Sequence, residues 1–188
     1  MKHFWCVVFF VALVACSPSR VVSTPTRTDN IVPTPTELAL YRDATDKFEL
    51  TYSKSDFEID SYKYPGVAVD FLLNLEANFS GKNLEEVRVS IAVNPECHFS
   101  GGYGLAALIE SATINGIGFT KYRARDSGSG TNIFETITYQ TTHNGNCYEV
   151  HTSIREYRTD RVPNLTEYSR IWLGTKLGIL VRSFKFIE

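Results

Sequence analysis

The chain has 188 residues with 19 basic and 21 acidic side chains, a net charge of −2. It carries no basic stripe with interleaved aromatics, which argues against a nucleic-acid partner. No apolar run reaches the roughly 20 residues needed to span a bilayer, and no internal repeat is visible.

The first segment reads as an export signal. Lys2 supplies a positive start, and Phe4 to Ala15 follows as an uncharged, largely apolar run. Twelve residues are too few for a membrane span but fit the apolar core of a signal peptide, roughly 7–15 residues. The run ends Leu13-Val14-Ala15-Cys16, which resembles the lipobox of bacterial lipoproteins. That resemblance implies cleavage after Ala15, so that Met1–Ala15 is removed and Cys16 carries the lipid, palmitate included. A plain secretory signal with a chance cysteine after Ala15 is the alternative. A single acyl chain holds a protein to a membrane only marginally, whereas several give stable attachment. The expected location is therefore the cell envelope, anchored to a membrane and facing away from the cytoplasm. Ser17 follows the cysteine, where an aspartate would point to inner-membrane retention.

Residues 16–36 read as the lipidated cysteine and its tether. Between Ser17 and Thr36, twelve of twenty residues are Ser, Thr or Pro, and four of the seven prolines fall there. Such a stretch cannot bury enough apolar surface to offset its ordering entropy. Extended at about 3.1 Å per residue, it reaches at most roughly 60 Å.

Residues 37–188 have the size of a single domain. Phe48, Leu50 and Tyr52 alternate with polar residues and predict a half-buried strand. Pro65-Gly66 marks a turn, and Val67 to Leu75 predicts a second strand. Val87, Val89, Ile91 and Val93 give the clearest alternation, closed by Asn94-Pro95. Leu105, Leu108 and Ile109 fall on one side of a predicted short helix over Tyr103 to Ser111. Asn115-Gly116 predicts a hairpin turn, and so does Asn144-Gly145. The second joins a strand over Asn132 to Thr142 to one over Cys147 to Tyr157. Asp126 to Gly130 reads as a loop. Thr166 is a capping residue with an acid behind it. Tyr168, Ile171, Trp172, Leu177, Leu180 and Val181 then recur at helical spacing. Phe184, Phe186 and Ile187 close the chain as a short strand or extended tail. Hairpins with helices packed on an antiparallel sheet make the expected class α+β.

Two cysteines remain after Cys6 and Cys16 are set aside, Cys97 and Cys147. Export favours one disulfide between them, with two buried free thiols as the other reading. A bridge would bring His98 towards the His143 loop with Glu96 nearby, a weak candidate metal site. No H-x-x-x-H or C-x-x-C spacing supports it. No G-x-S-x-G elbow or Walker loop is present, so the residues single out no catalytic set and no cofactor. Gly174 and Gly178 form a G-x-x-x-G within the last helix and read as small residues for close helix–sheet packing. Arg123, Arg125, Arg155, Arg158 and Arg161 form either a basic face for an anion or a solvated strand edge that resists pairing. Glu85-Glu86 and Asp43 with Asp46 read as surface charges.

Tyr41-Arg42-Asp43 with Phe48-Glu49-Leu50-Thr51-Tyr52 resembles the start of PsbP-like domains. Ile114-Asn115-Gly116-Ile117-Gly118-Phe119, Thr138-Tyr139 with Asn144 to Val150, and the tail Ser183-Phe184-Lys185-Phe186 resemble small exported bacterial proteins that pair such a strand with such a hairpin and end in a helix and tail of this kind. The family's Tyr-Pro strand end is missing, because Ser53 follows Tyr52. Over residues 38–188 the resemblance implies an αβα sandwich around an antiparallel sheet. It also implies an accessory or assembly role on membrane complexes, with no catalytic residues to carry over. The leading expectation is a lipid-anchored, non-enzymatic module that binds an envelope protein partner. A small-ligand or metal binder is the second, and an envelope hydrolase the third.

Overall fold

Two type I′ turns organise most of the chain. Asn115 (φ 49°) with Gly116 (φ 78°), and Asn144 (φ 49°) with Gly145 (φ 80°), occupy the left-handed region. This is the backbone a two-residue hairpin needs to match strand twist. In the computed structural model the described residues are 37–61, 66–75, 83–97, 107–127, 132–157 and 165–188. They all fall in one unit, Thr34–Glu188. The signal, Cys16 and the tether lie outside the described residues, as do His98, Arg158 and Arg161.

In chain order the strands are β1 (Leu38–Asp43), β2 (Phe48–Ser53), β3 (Phe57–Ile59), β4 (Val67–Leu73) and β5 (Leu84–Asn94). Then come β6 (Ala107–Ile114), β7 (Ile117–Ser127), β8 (Asn132–His143) and β9 (Asn146–Tyr157). One helix, α1 (Glu167–Arg182), precedes the short β10 (Lys185–Phe186). Seven strands form one antiparallel sheet in the order β3-β4-β5-β9-β8-β7-β6, and β1-β2-β10 form a second.

The core lies on one face of the large sheet. Val69 and Phe71 of β4, Val87, Val89 and Ile91 of β5, and Tyr148 and Val150 of β9 point into it. Leu173, Leu177, Leu180 and Val181 of α1 cover them, together with Phe48 and Leu50 of β2. Phe184, just beyond the helix, stacks on Phe48 with ring centroids 5.7 Å apart. Burying such side chains contributes about 1.5–3 kcal/mol each. The helix starts where capping chemistry places it: the Thr166 hydroxyl accepts from the Ser169 N–H at 3.1 Å.

The expected α+β class, with helices packed on both sides of a sheet, is corrected: the described residues form a mainly β fold with a single helix. The helix predicted over Tyr103 to Ser111 is a strand from Ala107 onward, and positions 103–106 lie outside the described residues. Its register explains the misreading. Leu108 pairs with Tyr122 and Glu110 with Lys121, so Ile109 is an extra, bulged residue. A bulge breaks period-two alternation, and adjacent apolar residues then mimic helical spacing. The predicted loop at Asp126 starts later, because Asp126 and Ser127 still pair with Phe134 and Ile133. On α1, Ile171 is not buried but 62% exposed, and Leu173 takes the core position.

Glu49 fastens the small sheet. It stands in register between Arg42 of β1 and Lys185 of β10. Its carboxylate meets Lys185 Nζ at 2.7 Å and Arg42 at 2.8 Å. Hydrogen bonds from Lys185 and then Arg42 hold its pKa below the usual carboxylate value. A carboxylate whose pKa is depressed on folding stabilises the fold above its unfolded pKa and loses that contribution as pH falls through the folded value. Acid titration of stability should therefore show a loss beginning near pH 4.5 that shrinks in Glu49→Gln. Denaturant melts at stepped pH would show equal slopes for the two proteins if Glu49 contributed nothing.

Candidate functional site

Strand alternation gives the large sheet two chemically different faces. Arg123 pairs in register with Ile137, and Ile137 with Thr152. Arg125, Glu135, Tyr139 and Ile154 lie at even offsets from these and share their face. That face looks towards α1. Between them runs a groove of about 250 Å³, lined by Arg123, Glu135, Tyr139, Ile154, Arg170 and Gly174 among others.

The glycines make this groove. A Cβ at Gly174 would meet nothing within 4 Å, and the atoms nearest one at Gly178 belong to the Arg182 guanidinium of the same helix, 2.9 Å away. The expectation that they allow close helix–sheet packing is corrected: the space at Gly174 is open, and at Gly178 it is Arg182 that comes close. Charges sit at the rim in pairs. Arg123 meets Glu135 at 2.5 Å, and Arg170 from the helix meets the buried Glu156 at 2.9 Å. Lys121 bonds Glu110 at 2.6 Å and lies 5.8 Å from the Tyr139 ring centre. An apolar floor with an aromatic wall and a rim of alternating charge can hold an apolar side chain and read the polarity flanking it.

The opposite face carries a polar row. Asp70, Ser90, His151 and Thr138 stand side by side on four neighbouring strands. The Ser90 hydroxyl donates to Asp70. His151 lies 2.9 Å from the Thr138 hydroxyl and 3.2 Å from Glu149, which also accepts from Gln140 at 2.7 Å. Arg88 reaches Asp70 at 3.0 Å, Glu86 at 3.1 Å and Asp60 at 3.2 Å. Burial works against the Arg88 cation, but Glu86 and the two aspartates outweigh it and raise its pKa. Buried polar groups persist when their neighbours satisfy them; here Glu149 and Arg88 supply what the row lacks, Arg88 as an ion pair to Asp70.

The basic cluster anticipated from the sequence is divided by the sheet. Arg123 lines the groove and Arg125 shares its sheet face, while Arg155 faces the other way. It bonds Glu85 at 2.9 Å and lies 5.3 Å from the Phe134 ring centre.

Cys97 and Cys147 form a disulfide with Cα atoms 5.0 Å apart, closing 50 residues at the end of the β5–β9 ladder. In the chain-entropy model a loop of this length contributes about 4 kcal/mol. Beside it the His143 ring stacks on Phe186, centroids 3.8 Å apart, and its Nε2 lies 3.1 Å from the Asn144 amide. Glu96 is exposed. Among the described residues no three His, Cys, Asp or Glu side chains gather as a metal group. Burial pushes the neighbouring Tyr148 hydroxyl pKa up, and that hydroxyl donates to the Asp46 carbonyl at 2.7 Å.

No family model matches the chain, and no curated protein does. Solved structures similar to it include cyanobacterial PsbP (CyanoP) from Synechocystis sp. PCC 6803. That likeness has 17% identity and a TM-score of 0.49, over 87% of this chain and 99% of that one. LpqN, described as involved in cell envelope biogenesis of Mycobacterium tuberculosis, is similar at 8% identity and a TM-score of 0.42, over 84% of this chain and 88% of that one. A protein of Bacteroides thetaiotaomicron VPI-5482 is similar at 12% identity and a TM-score of 0.44, over 79% of this chain and 48% of that one. No residue role is transferred from any of them.

Glu135, Tyr139 and Arg170 were not singled out by sequence, nor were Asp70, Ser90 and His151. Alternation in β8 and β9 places each on a face, but which face meets the helix is a tertiary fact. Replacing Arg88 by Met should cost about 3–5 kcal/mol, because it strips the cation from a fully buried Asp70. Urea denaturation would check this, and the Asp70→Asn, Arg88→Met double variant should recover much of the loss.

Proposed function

We propose that the protein is a lipid-anchored envelope module that binds a protein partner rather than transforming a substrate. The observation that carries this reading is the open groove between α1 and β7–β9, with its apolar floor and paired rim charges. The lipobox-like end at Cys16 and the disulfide at Cys97 and Cys147 support an extracytoplasmic place for it. The size of the groove favours a side chain of a partner over a free ligand. About 250 Å³ falls below the usual small-molecule site of roughly 300–1,000 Å³. A small apolar ligand in the same groove is the second reading.

Gly174→Leu tests the groove with little risk to the fold, since it fills open space and leucine favours a helix interior over glycine by roughly 1 kcal/mol. Crosslinking in intact envelopes should recover one dominant partner with the wild-type protein, and tenfold less or none with Gly174→Leu. Equal recovery from both would sink the groove. A small molecule retained by the wild type in native mass spectrometry and lost from Gly174→Leu would select the second reading. Cys16→Ala should block processing, leaving a chain longer by the fifteen residues Met1–Ala15 on a denaturing gel, and unchanged processing would overturn the lipid anchor alone.

A further inference from the structure

We propose that the surface around Leu38, Leu40 and Ile179 is a membrane-contact face that lays the domain against the bilayer; this rests on the lipid-anchored reading above. In β1, Tyr41 turns inward and packs edge-on against Phe71. Leu38 and Leu40, on the opposite parity, are 63% and 58% exposed. Ile179 of α1 is 52% exposed. Leu38 and Ile179 both line a largely apolar cavity of about 260 Å³, floored by Tyr52, Phe57 and Leu180. Single exposed aliphatics are ordinary. Leu38 and Ile179 are joined by one cavity, and Leu40 lies on the same face of β1 as Leu38; such apolar patches mark contact surfaces.

Charge and position select the occupant. Cations near the patch are ion-paired: Lys54 with Glu37 at 2.5 Å, and Lys176 with Asp56, both in the cavity wall, at 2.6 Å, while Arg42 and Lys185 share Glu49 at 2.8 and 2.7 Å. With each of these cations held by a carboxylate, the face offers aliphatic contact, which suits the acyl region of a bilayer. Leu38 also lies two residues beyond Thr36, where the tether ends. The tether holds this edge of the domain within roughly 60 Å of its lipid. A tethered site meets its target at a high effective concentration, so modest apolar contact is enough to settle it.

Trp172 makes the contact measurable. It is the only tryptophan after Ala15, and Lys176 Nζ lies 5.2 Å from its ring centre on the helix surface that also carries Ile179. The mature lipidated protein would be reconstituted in phosphatidylcholine vesicles with and without brominated acyl chains. Trp172 fluorescence should be quenched by the brominated lipid, with little response to salt. The L38S/I179S variant should stay with the vesicles but lose contact by about tenfold per side chain, and so lose the quenching. L40S/I179S should behave the same, with circular dichroism confirming that both are folded. Retained but unquenched wild-type protein, or quenching unchanged in both variants, would overturn the proposal while leaving the anchor standing. Dimer crosslinks that both variants abolish, with Trp172 unquenched, would also overturn it and assign the face to a second copy. If the wild type is not retained, the anchor reading fails separately. The unlipidated chain beginning at Ser17, which lacks Trp5, then decides the patch at high lipid concentration, quenching supporting it and none overturning it.

Discussion

The pairing of β5 with β9 is the constraint on which the rest depends. It runs from Leu84 opposite Glu156 to Asn94 opposite Cys147 and joins segments about 60 residues apart in sequence. Its register decides the parity of the strands on either side. Val87, Val89 and Ile91 fall beside Ile154, Thr152 and Val150 and face the helix. Arg88, Ser90 and Ala92 fall beside Ser153, His151 and Glu149 and face away. A slip of one residue would exchange the two sets and drive arginine and histidine into the core. The disulfide lies at the end of this ladder, where it opposes fraying and restricts the unfolded chain.

From that parity follow both polar arrangements. On the outward face, Asp70, Ser90, His151 and Thr138 line up because four strands share one register. Ser90 bonds Asp70 and Thr138 meets His151, while Arg88 pairs with Asp70 at the end of the row. On the helix face, the sheet extends beyond the core, and Gly174 leaves room above it. The groove exists because α1 carries no side chain at Gly174, and its charge comes from Arg123, Glu135 and the reach of Arg170 to Glu156. The sheet thus commits His151 and its most buried aspartate to internal pairing and leaves apolar and ion-paired surface to the outside.

Much of the fold was legible where local chemistry is decisive. Asn115-Gly116 and Asn144-Gly145 need a left-handed backbone, and that need is local. Thr166 caps a helix because its own hydroxyl reaches the next turn. Val87, Val89 and Ile91 declared a strand through their alternation. Less was legible where a distant partner decides. Ala107 to Ile114 pairs with β7 through a bulge, and its apolar spacing alone looked helical. Ile171 and Leu173 are both apolar residues on one helix, and only the packed sheet determines which of them is covered.

The sequence by itself determined the turns, the helix cap, the long strands, and the two domain cysteines available to pair, because each rests on a residue acting on its own neighbours. It also contained the lipobox-like end at Cys16 and the Ser/Thr/Pro run behind it. The tertiary structure decided that the fold is mainly β, that Arg123 and Arg155 lie on opposite faces, and that Gly174 opens a groove rather than closing a contact. These outcomes depend on register and on what stands opposite, and hydrogen-bonded strands set both across distances that no local pattern encodes.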